Sequence, residues 1–550
     1  MTTTNADVAE GKADRSARLL ELAKARFGDL SPAETKLFQQ TANGEVAYFG
    51  EGDPAEAATW GKDRVLQADR IRWLCTDPEA VKEMLPHEGV RIIGARIEGQ
   101  LRLSYAEIEF ALLIKNSAIP DGIVIQRAHI AALFLPGTHT GPITADGLRV
   151  DHALFMDGGF DAKGEVRLLG ATIGGDLACV DGHFSNRDGC ALNADRIKVE
   201  GGVFLNKGFE ANGEVRLLGA TIGGTLDGEK GHFSNPDGKA LSADRIKVEG
   251  SVFLRDGFKA EGEVRVLGAT IGGSLSCVHG HFSNPDGHAL SADGINVQGS
   301  VFLREGFKAK GVVDFTASTI RGYFIWREVD APKECTLNLE SARIGTLWDE
   351  EASWPEQLHL DGLVYDRLYK EAPTDAEARL RWIALQKSDR FLPQPYQQLA
   401  KVLKDMGHEA EARKILIARA KDPARRKAMT RPQRAWHHLL AVTIGYGYRP
   451  WLAVWWMLGF LLAGSVLFGL AARGDQPKMM LLTQETTCPE FNVLVYSLDT
   501  FVPLIDLHQA KYRLPTGWYF RTYLWAHIMA GWVLTTLLVV GLTGLVQKLE

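Results

Sequence analysis

The chain has 550 residues, a formal net charge of -6, 57 glycines and 6 cysteines. This length exceeds what a single hydrophobic core normally supports, so several domains are expected. The weakly acidic balance gives no indication of a nucleic-acid partner, and scattered cysteines without a C-x-x-C pair fit neither a disulfide scaffold nor a zinc ribbon.

Residues 1–88 are predicted to be mostly helical. The stretch DRSARLLELAKARFGD carries apolar residues at helical spacing, and Ser31, Pro32 and Glu34 form a typical helix start. The opening sequence MTTTNADVAEGKADRS has no apolar core, so we expect no cleaved signal peptide. We interpret this segment as an N-terminal cap for the repeats that follow, with an independent binding module as the alternative.

Internal repeats dominate the next part of the chain. Three nearly identical copies begin at Gly164, Gly213 and Gly262, a period of 49 residues, and diverged copies begin at Gly89 and Gly311. Periods of this size indicate a solenoid, a propeller or another repeat array. The choice among these architectures depends on the segments inside each repeat.

Each repeat consists of short, alternating, β-branched segments such as IKVEG and SVFL, separated by Gly, Asn and Asp. Helical periodicity and propeller-blade signatures are absent from the repeats. We therefore predict a mainly β fold over residues 89–368, a right-handed parallel β-helix with two coils per 49-residue repeat. Apolar ladders are expected inside the tube, formed by Ile197 with Ile246, Phe204 with Phe253, and Val215 with Val264.

The recurring GHFSN segment raises the question of a metal site. Its histidines are two coils apart, which corresponds to roughly 10 Å and is too far for them to share one ion. Cys179 and Cys277 occupy the same repeat position with Gly228 between them, so no disulfide is expected. We predict no metal, cofactor or catalytic site in the array, and interpret it as a scaffold that binds a protein partner. The histidines, expected to be solvated, are His183, His232 and His281.

Helical patterns return after the array. Residues 369–435 are predicted to form a cytoplasmic helical hairpin and a basic linker, with Gly407 at the turn. The segment PYQQLAKVLKDMGHEAEARKILIARA looks like a single tetratricopeptide-type hairpin.

Residues 436–550 are predicted to be a membrane module. The segments 451–472 and 522–546 are apolar and longer than the ~20 residues needed to cross the hydrocarbon core, with His527 as a polar residue inside the second. The basic run before the first span predicts that the N-terminal domain and the C-terminus are cytoplasmic, with residues 473–521 as the outer loop. The basic residues expected to face membrane lipids are Arg425, Arg426, Lys427, Arg431 and Arg434.

The sequence TIGYG, beginning at Thr443, is spelled almost like a potassium-selectivity filter. It precedes the first span and belongs to the segment 436–450, which is predicted to lie at the membrane interface. We therefore expect Gly445 and Gly447 to form a bend, with Pro450 starting the spanning helix.

The segment NVLVYSLDTFVPLID in the outer loop resembles the pore helix and filter entry of two-span pore-loop ion channels. The resemblance implies a re-entrant helix and a homo-oligomeric pore, in which Asp499 and Asp506 would form acidic rings. Potassium selectivity does not follow, because FVPLID replaces the glycine-rich filter. The alternative is an amphipathic outer helix that lies on the membrane surface or packs between the spans as structure. The candidate pore-loop residues are Tyr496, Ser497, Asp499, Thr500, Phe501, Val502, Pro503 and Asp506.

The GARIxGxL coils, the QPYQQLAKVL hairpin, the YGxRP segment and the two spans together resemble bacterial membrane-bound proteins with pentapeptide-like repeats. Those proteins often carry the label "membrane-associated oxidoreductase". The resemblance implies location in the bacterial inner membrane, but no nucleotide, haem or redox C-x-x-C motif supports the label. We expect a membrane-tethered scaffold or sensor without enzymatic activity; a pore-loop channel and an oxidoreductase are the alternatives.

Overall fold

A computed structural model describes residues 5–85, 87–387, 391–422, 429–473, 479–482 and 490–543. The chain forms two compact units. The first comprises Met1–Lys387 and Lys401–Met406, and the second comprises Ser388–Ala400 and Gly407–Glu550. The predicted lipid-facing residues Arg425, Arg426 and Lys427 lie outside the described residues, as does the end of the predicted second span.

Helices flank the repeats of the first unit. The predicted helix start at Ser31 is confirmed, because its hydroxyl accepts from the Glu34 N–H (3.1 Å) and the Glu34 carboxylate accepts from the Ser31 N–H (2.9 Å). The α-helices are α1 (Asn5–Phe27), α2 (Pro32–Ala42), α3 (Ala68–Thr76), α4 (Pro78–Lys82) and α5 (Ala376–Ala384). Short 3-10 helices cover Pro54–Thr59, Lys62–Arg64, Pro332–Glu334 and Glu351–Ser353.

The repeats form a mostly parallel β-solenoid of about 12 turns. One of its sheets contains the strands Ala47–Tyr48, Val90–Ile93, Glu107–Lys115, His129–Phe134, Arg149–Val150, Leu154–Phe155, Thr172–Ile173, Leu177–Ala178, Lys198–Val199, Val203–Phe204, Thr221–Ile222, Leu226–Asp227, Lys247–Val248, Val252–Phe253, Thr270–Ile271, Leu275–Ser276, Asn296–Val297, Val301–Arg304, Thr319–Arg327, Arg343–Asp349 and Val364–Leu368. The other contains Val65–Gln67, Arg96–Glu98, Leu101–Arg102, Ala118–Ile119, Ile123–Val124, His139–Thr140, Ile143–Thr144, Asp161–Lys163, Val166–Arg167, His183–Asn193, Glu210–Arg216, His232–Ser242, Lys259–Arg265, His281–Ser291, Lys308–Asp314, Cys335–Asn338 and Gln357–His359.

The turns stack in register. Thr172 pairs with Lys198, which pairs in turn with Thr221, so equivalent threonines of consecutive repeats are separated by one lysine-bearing turn. The sheets begin earlier than the sequence predicts. Ala47–Tyr48 pairs with Val90–Ile93, and Val65–Gln67 pairs with Arg96–Glu98. These strands satisfy backbone groups that the first coil would otherwise leave unpaired.

The interior of the solenoid is apolar, and Ile197, Ile246, Val215 and Val264 are buried as predicted. The prediction for Phe204 and Phe253 is wrong, because both side chains are only half-buried. Side chains alternate along a strand, so the burial of Val203 and Val252 turns the following phenylalanine outward. The interior aromatic column instead consists of Phe160, Phe184, Phe209, Phe233, Phe258, Phe282 and Phe307.

A buried ion pair joins α5 to the C-terminal turns of the solenoid. The Arg379 guanidinium donates to both oxygens of Asp349 at 2.8 and 2.7 Å, and Trp354 Nε1 donates to the same carboxylate at 2.9 Å. Both charged side chains are almost fully buried. Bidentate geometry and a third donor offset the cost of removing these charges from water.

The second unit is helical. Gly445 ends the helix Arg431–Ile444 in the left-handed conformation, with φ 55°, and Tyr446 (φ 58°) and Gly447 (φ 84°) continue the bend up to Pro450. The predicted bend at TIGYG is therefore confirmed. The chain contains α6 (Pro393–Asp405), α7 (Glu409–Lys421), α8 (Arg431–Ile444), α9 (Trp451–Ala472), α10 (Val493–Phe501) and α11 (Trp518–Leu542), and Met479–Leu481 pairs antiparallel with Arg513–Pro515.

Replacing Phe233 with alanine should lower the free energy of unfolding by about 3–5 kcal/mol, because it opens a cavity inside the aromatic column. The Phe233 ring lies 5.1 Å from the ring of Phe209 and 5.2 Å from that of Phe258. Phe204→Ala is the matched control, and its outward side chain should cost about 1–2 kcal/mol at most. Urea denaturation followed by β-sheet circular dichroism measures both, and equal losses would contradict the assignment of the interior column.

Candidate functional site

Two helices of the second unit, α9 and α11, are long and apolar enough to cross a membrane. With 22 residues, α9 spans about 33 Å, close to the thickness of a bilayer's hydrocarbon core. Gly541, near the end of α11, packs against Pro450, directly before α9. The start of α9 and the end of α11 therefore lie at the same level.

Exposed aromatic residues lie at both ends of this helix pair, and Trp525 and Trp532 are exposed between them. Trp451, Trp455 and Trp456 lie at the start of α9, and Trp518 and Tyr519 lie at the start of α11, which is the opposite end. Aromatic residues concentrate at the two membrane–water interfaces because their rings are amphipathic. The two bands therefore suit a hairpin that is embedded in a bilayer.

The short helix α10 packs against both long helices near their midpoints. The Ser497 hydroxyl donates to the carbonyl of Leu461, midway along α9, at 3.1 Å. At the end of α10, the Phe501 carbonyl packs directly on Gly531, midway along α11. Helix α10 therefore reaches the middle of the hairpin formed by α9 and α11.

Glycines make this close approach sterically feasible. A Cβ atom added to Gly531 would lie 1.7 Å from the Phe501 carbonyl oxygen, and one added to Gly464 would lie 2.4 Å from Ser497 Oγ. Neither distance is sterically allowed. By contrast, a Cβ added to Gly459 meets no atom within 4 Å. Small residues at helix contacts allow backbones to approach within membranes, and here they accommodate the inserted helix.

His527 is fully buried where the three helices meet. Its Nε2 lies 3.1 Å from the Ser497 carbonyl, which can only accept, so Nε2 carries the proton in this arrangement. Its Nδ1 lies 3.3 Å from the Tyr523 hydroxyl, and the rings of Phe501 and Phe468 surround the imidazole. The network satisfies the polar groups of His527 inside an apolar cluster and holds α10 in place.

The carboxylate of Asp499 organises the segment after α10. It accepts backbone N–H groups from Leu507 (2.6 Å), Gln509 (2.8 Å) and Ala510 (2.6 Å). Asp506 is exposed, and its carboxylate accepts the His508 N–H at 2.9 Å. Asp499 therefore fixes the backbone within the chain, whereas Asp506 projects from it.

The remaining candidate pore-loop residues divide into two groups. Tyr496, Ser497, Thr500 and Phe501 are buried against the long helices, whereas Val502 and Pro503 are half-buried. The next residue, Leu504, is 83% exposed. The segment after α10 thus has an apolar surface that is exposed among the described residues.

The predicted basic residues that the structure describes, Arg431 and Arg434, are exposed on the first turn of α8. Other positions of α8 are buried, among them His437, Leu440 and Ile444. His437 Nε2 donates to the Ala420 carbonyl at 2.7 Å, and Leu440 and Ile444 pack in a cluster with Leu537. This amphipathic arrangement leaves the basic side chains on the surface.

Groups with potential for chemistry are sparse in the solenoid. The described residues contain no group of three or more His, Cys, Asp or Glu side chains that could hold a metal ion. His183 and His281 are exposed, in one register row with Glu210, Lys259 and Lys308. Burial raises the pKa of the Cys75 thiol to about 12, and it also raises the pKa of Cys179 and Cys277, so these cysteines stay protonated.

Sequence reasoning singled out His527 and α10 but missed Tyr523, Gly464 and Gly531, which complete their surroundings. Glycine inside an apolar span is the available signal for close helix contact. This signal does not show which glycine meets another helix. Gly459 lies in the same kind of sequence, yet a Cβ atom added there would meet no atom within 4 Å.

Comparison with known proteins adds no family assignment: no protein-family model matches the chain, and no match was found among curated proteins or solved structures. The resemblances described above therefore rest on sequence motifs alone. The β-solenoid and the two apolar helices fit a membrane-anchored repeat scaffold.

Gly531→Ala should displace α10, because the new methyl group would overlap the Phe501 carbonyl. We expect a loss of about 1–3 kcal/mol in stability, as for other overpacked sites. Gly459→Ala is the control and should leave stability unchanged or slightly higher. Thermal unfolding in detergent measures the loss, and maleimide labelling of Thr500→Cys reports whether this buried position becomes accessible. Equal behaviour of the two glycine variants would contradict the insertion of α10.

Proposed function

We propose that the chain is an integral membrane protein that presents its β-solenoid to a protein partner in the cytoplasm. The combination of an extended solenoid with two apolar helices carries the proposal. Repeat solenoids typically act through extended surfaces rather than through single cavities. The proposal takes the solenoid to be right-handed, with two turns in each 49-residue repeat, and assigns no enzymatic activity to the chain.

The outer surface of the solenoid supports this role. Lys198, Thr221, Lys247 and Thr270 follow one another in register on successive turns, and all four side chains are exposed. Neighbouring strands are ~4.8 Å apart, so the two lysines are about 10 Å apart along the row. Such a regular row of ammonium and hydroxyl groups suits an extended partner with acidic and hydrogen-bonding side chains.

The proposed location is the bacterial inner membrane, with the first unit and the C-terminus in the cytoplasm. Basic residues before the first span favour the cytoplasmic side, and two of them, Arg431 and Arg434, are exposed. The segment between α9 and α11 would then face the opposite side of the membrane.

Topology reporters test this arrangement. A fluorescent protein fused after Glu550 should fluoresce, whereas a periplasmic phosphatase inserted after Arg473 should be active. The chain should also stay in the pellet after alkaline carbonate extraction. Release by carbonate would contradict the integral membrane anchor, and the opposite reporter pattern would contradict the sidedness.

Crosslinking in cells tests the scaffold itself. A photoreactive residue at Thr221, inside the exposed row, should give a discrete crosslinked product with a partner. The same residue at Lys207, on an exposed turn outside this row, is the control. Equal crosslinking at both positions, or at neither, would argue against a docking surface along the row.

A homo-oligomeric pore-loop channel is the second candidate, favoured by one observation. Helix α10 reaches the midpoints of α9 and α11, and the following Leu504 is 83% exposed. Several copies around an axis could cover this surface and place the exposed Asp506 in an acidic ring that favours cations.

The channel candidate predicts several subunits per particle and a cation conductance in planar bilayers. Asp506→Asn should reduce this conductance because it removes a charge from the ring, whereas His508→Gln should have a smaller effect. Native mass spectrometry in nanodiscs gives the subunit number. A monomer, or bilayers that conduct no ions, would exclude the channel. An oxidoreductase would instead be indicated by flavin or haem absorbance of the purified protein.

A further inference from the structure

We propose that α8, together with the two long helices, forms a binding site for one anionic glycerophospholipid. This proposal rests on the proposed membrane location, and it names one lipid class that the protein would bind there. It consists of a polar cavity around Arg431 and Arg434, which would hold the headgroup phosphate, and an adjoining apolar groove, which would hold an acyl chain.

The polar cavity has a volume of about 440 Å³ and is lined by Arg431, Arg434, Ala435, His437, His438 and Tyr446. Arg434 donates to the Met429 carbonyl at 3.1 Å, and among the described residues no carboxylate forms an ion pair with either arginine. Two guanidinium groups without acidic partners complement a phosphodiester, which they can bind through charge-assisted hydrogen bonds.

The apolar groove has a volume of about 430 Å³ and lies between α8 and the two long helices. Thr443 contributes a hydroxyl group to the lining of the groove. This hydroxyl donates to the Leu439 carbonyl at 2.7 Å within α8. The groove therefore presents mainly carbon atoms to an occupant. Its lining residues are Leu439, Val442, Thr443, Trp456, Phe460, Met529, Ala530, Val533 and Leu534.

The two parts neighbour each other along α8, because His438 of the polar cavity and Val442 of the groove are four residues apart. Arg431, Arg434, His438 and Val442 are spaced three or four residues apart, so they occupy one face of the helix. This face is basic at its start and apolar at its end. Trp456 Nε1 donates to the Val442 carbonyl at 3.1 Å and connects the apolar end to α9, within the band of exposed tryptophans.

This order of polar and apolar groups matches a phospholipid, with its charged head beside the arginines and a hydrocarbon chain against the two long helices. A soluble phosphate compound would use only the first part and leave the groove exposed. A zwitterionic lipid would place a choline cation near two arginines, which is unfavourable. The structure therefore favours an anionic diacyl lipid such as phosphatidylglycerol.

Lipid retention by the full-length protein tests the site. Purified protein is exchanged into mixed micelles of phosphatidylglycerol and phosphatidylcholine, and bound lipid is counted by native mass spectrometry. We expect one retained phosphatidylglycerol per chain. Arg431→Gln with Arg434→Gln should lower its affinity by about fivefold for each charge removed. The control is Arg473→Gln with Arg521→Gln, which removes two charges near the opposite end of the long helices and should have no effect.

A second variant separates a built site from general attraction between a basic surface and anionic lipids. Ala530→Phe leaves every charge in place but fills the groove, so it should also reduce retention of phosphatidylglycerol. Val442→Phe fills the groove from the side of α8 and should likewise reduce retention of phosphatidylglycerol. If only the arginine variant loses binding, the groove does not contribute to the site, and attraction between the basic surface and anionic lipids explains the retention. Equal retention of both lipids would overturn the site even if carbonate extraction had established the membrane anchor.

Discussion

Hydrogen bonding between successive turns is the interaction on which the larger part of this protein depends. The Leu177 N–H donates to the Gly202 carbonyl at 3.0 Å, and the Val203 N–H donates to the Thr225 carbonyl at 2.8 Å on the following turn. Because each turn completes the hydrogen bonds of its neighbours, no turn is stable alone. The same register stacks the interior phenylalanines and aligns the exposed lysine and threonine side chains in rows.

The helical second unit depends on a different constraint, the close contact of backbones at positions where glycine has no side chain. Gly464 and Gly531 admit α10 between two apolar helices, and His527 then finds acceptor and donor groups on Ser497 and Tyr523. Apolar helices in lipid gain little from hydrophobic burial, so close packing and hydrogen bonds must hold such a helix. The surface left around Leu504 and Asp506 is where further subunits would contact the chain if it forms a pore.

The two parts of the protein offer different kinds of function. The solenoid has an apolar interior, and its outer surface carries a regular row of exposed lysine and threonine side chains. Such an extended surface suits recognition. The second unit supplies two helices that are apolar enough to cross a membrane, the short helix α10 packed against both, and a face of α8 that changes from basic to apolar along its length. Lipids and proteins are accordingly the partners that we propose.

The sequence by itself determined the features that repeat or that depend on local composition. The repeats of GATIGG and IKVEG predicted parallel stacked strands, the apolar stretches predicted α9 and α11, and the glycines of TIGYG predicted a bend. Each of these follows from local periodicity or from the backbone freedom of glycine.

Only the tertiary structure decided which side of a strand faces the interior and which distant groups meet. Phe204 and Phe209 are both apolar residues of the same repeat, yet only Phe209 is buried, because the alternation of Val203 and Leu205 fixes the direction of Phe204. Likewise, nothing in the sequence distinguishes Gly531 from Gly459. Their difference arises from the Phe501 carbonyl, which lies 30 residues from Gly531 along the chain and is brought against it only by the packing of α10.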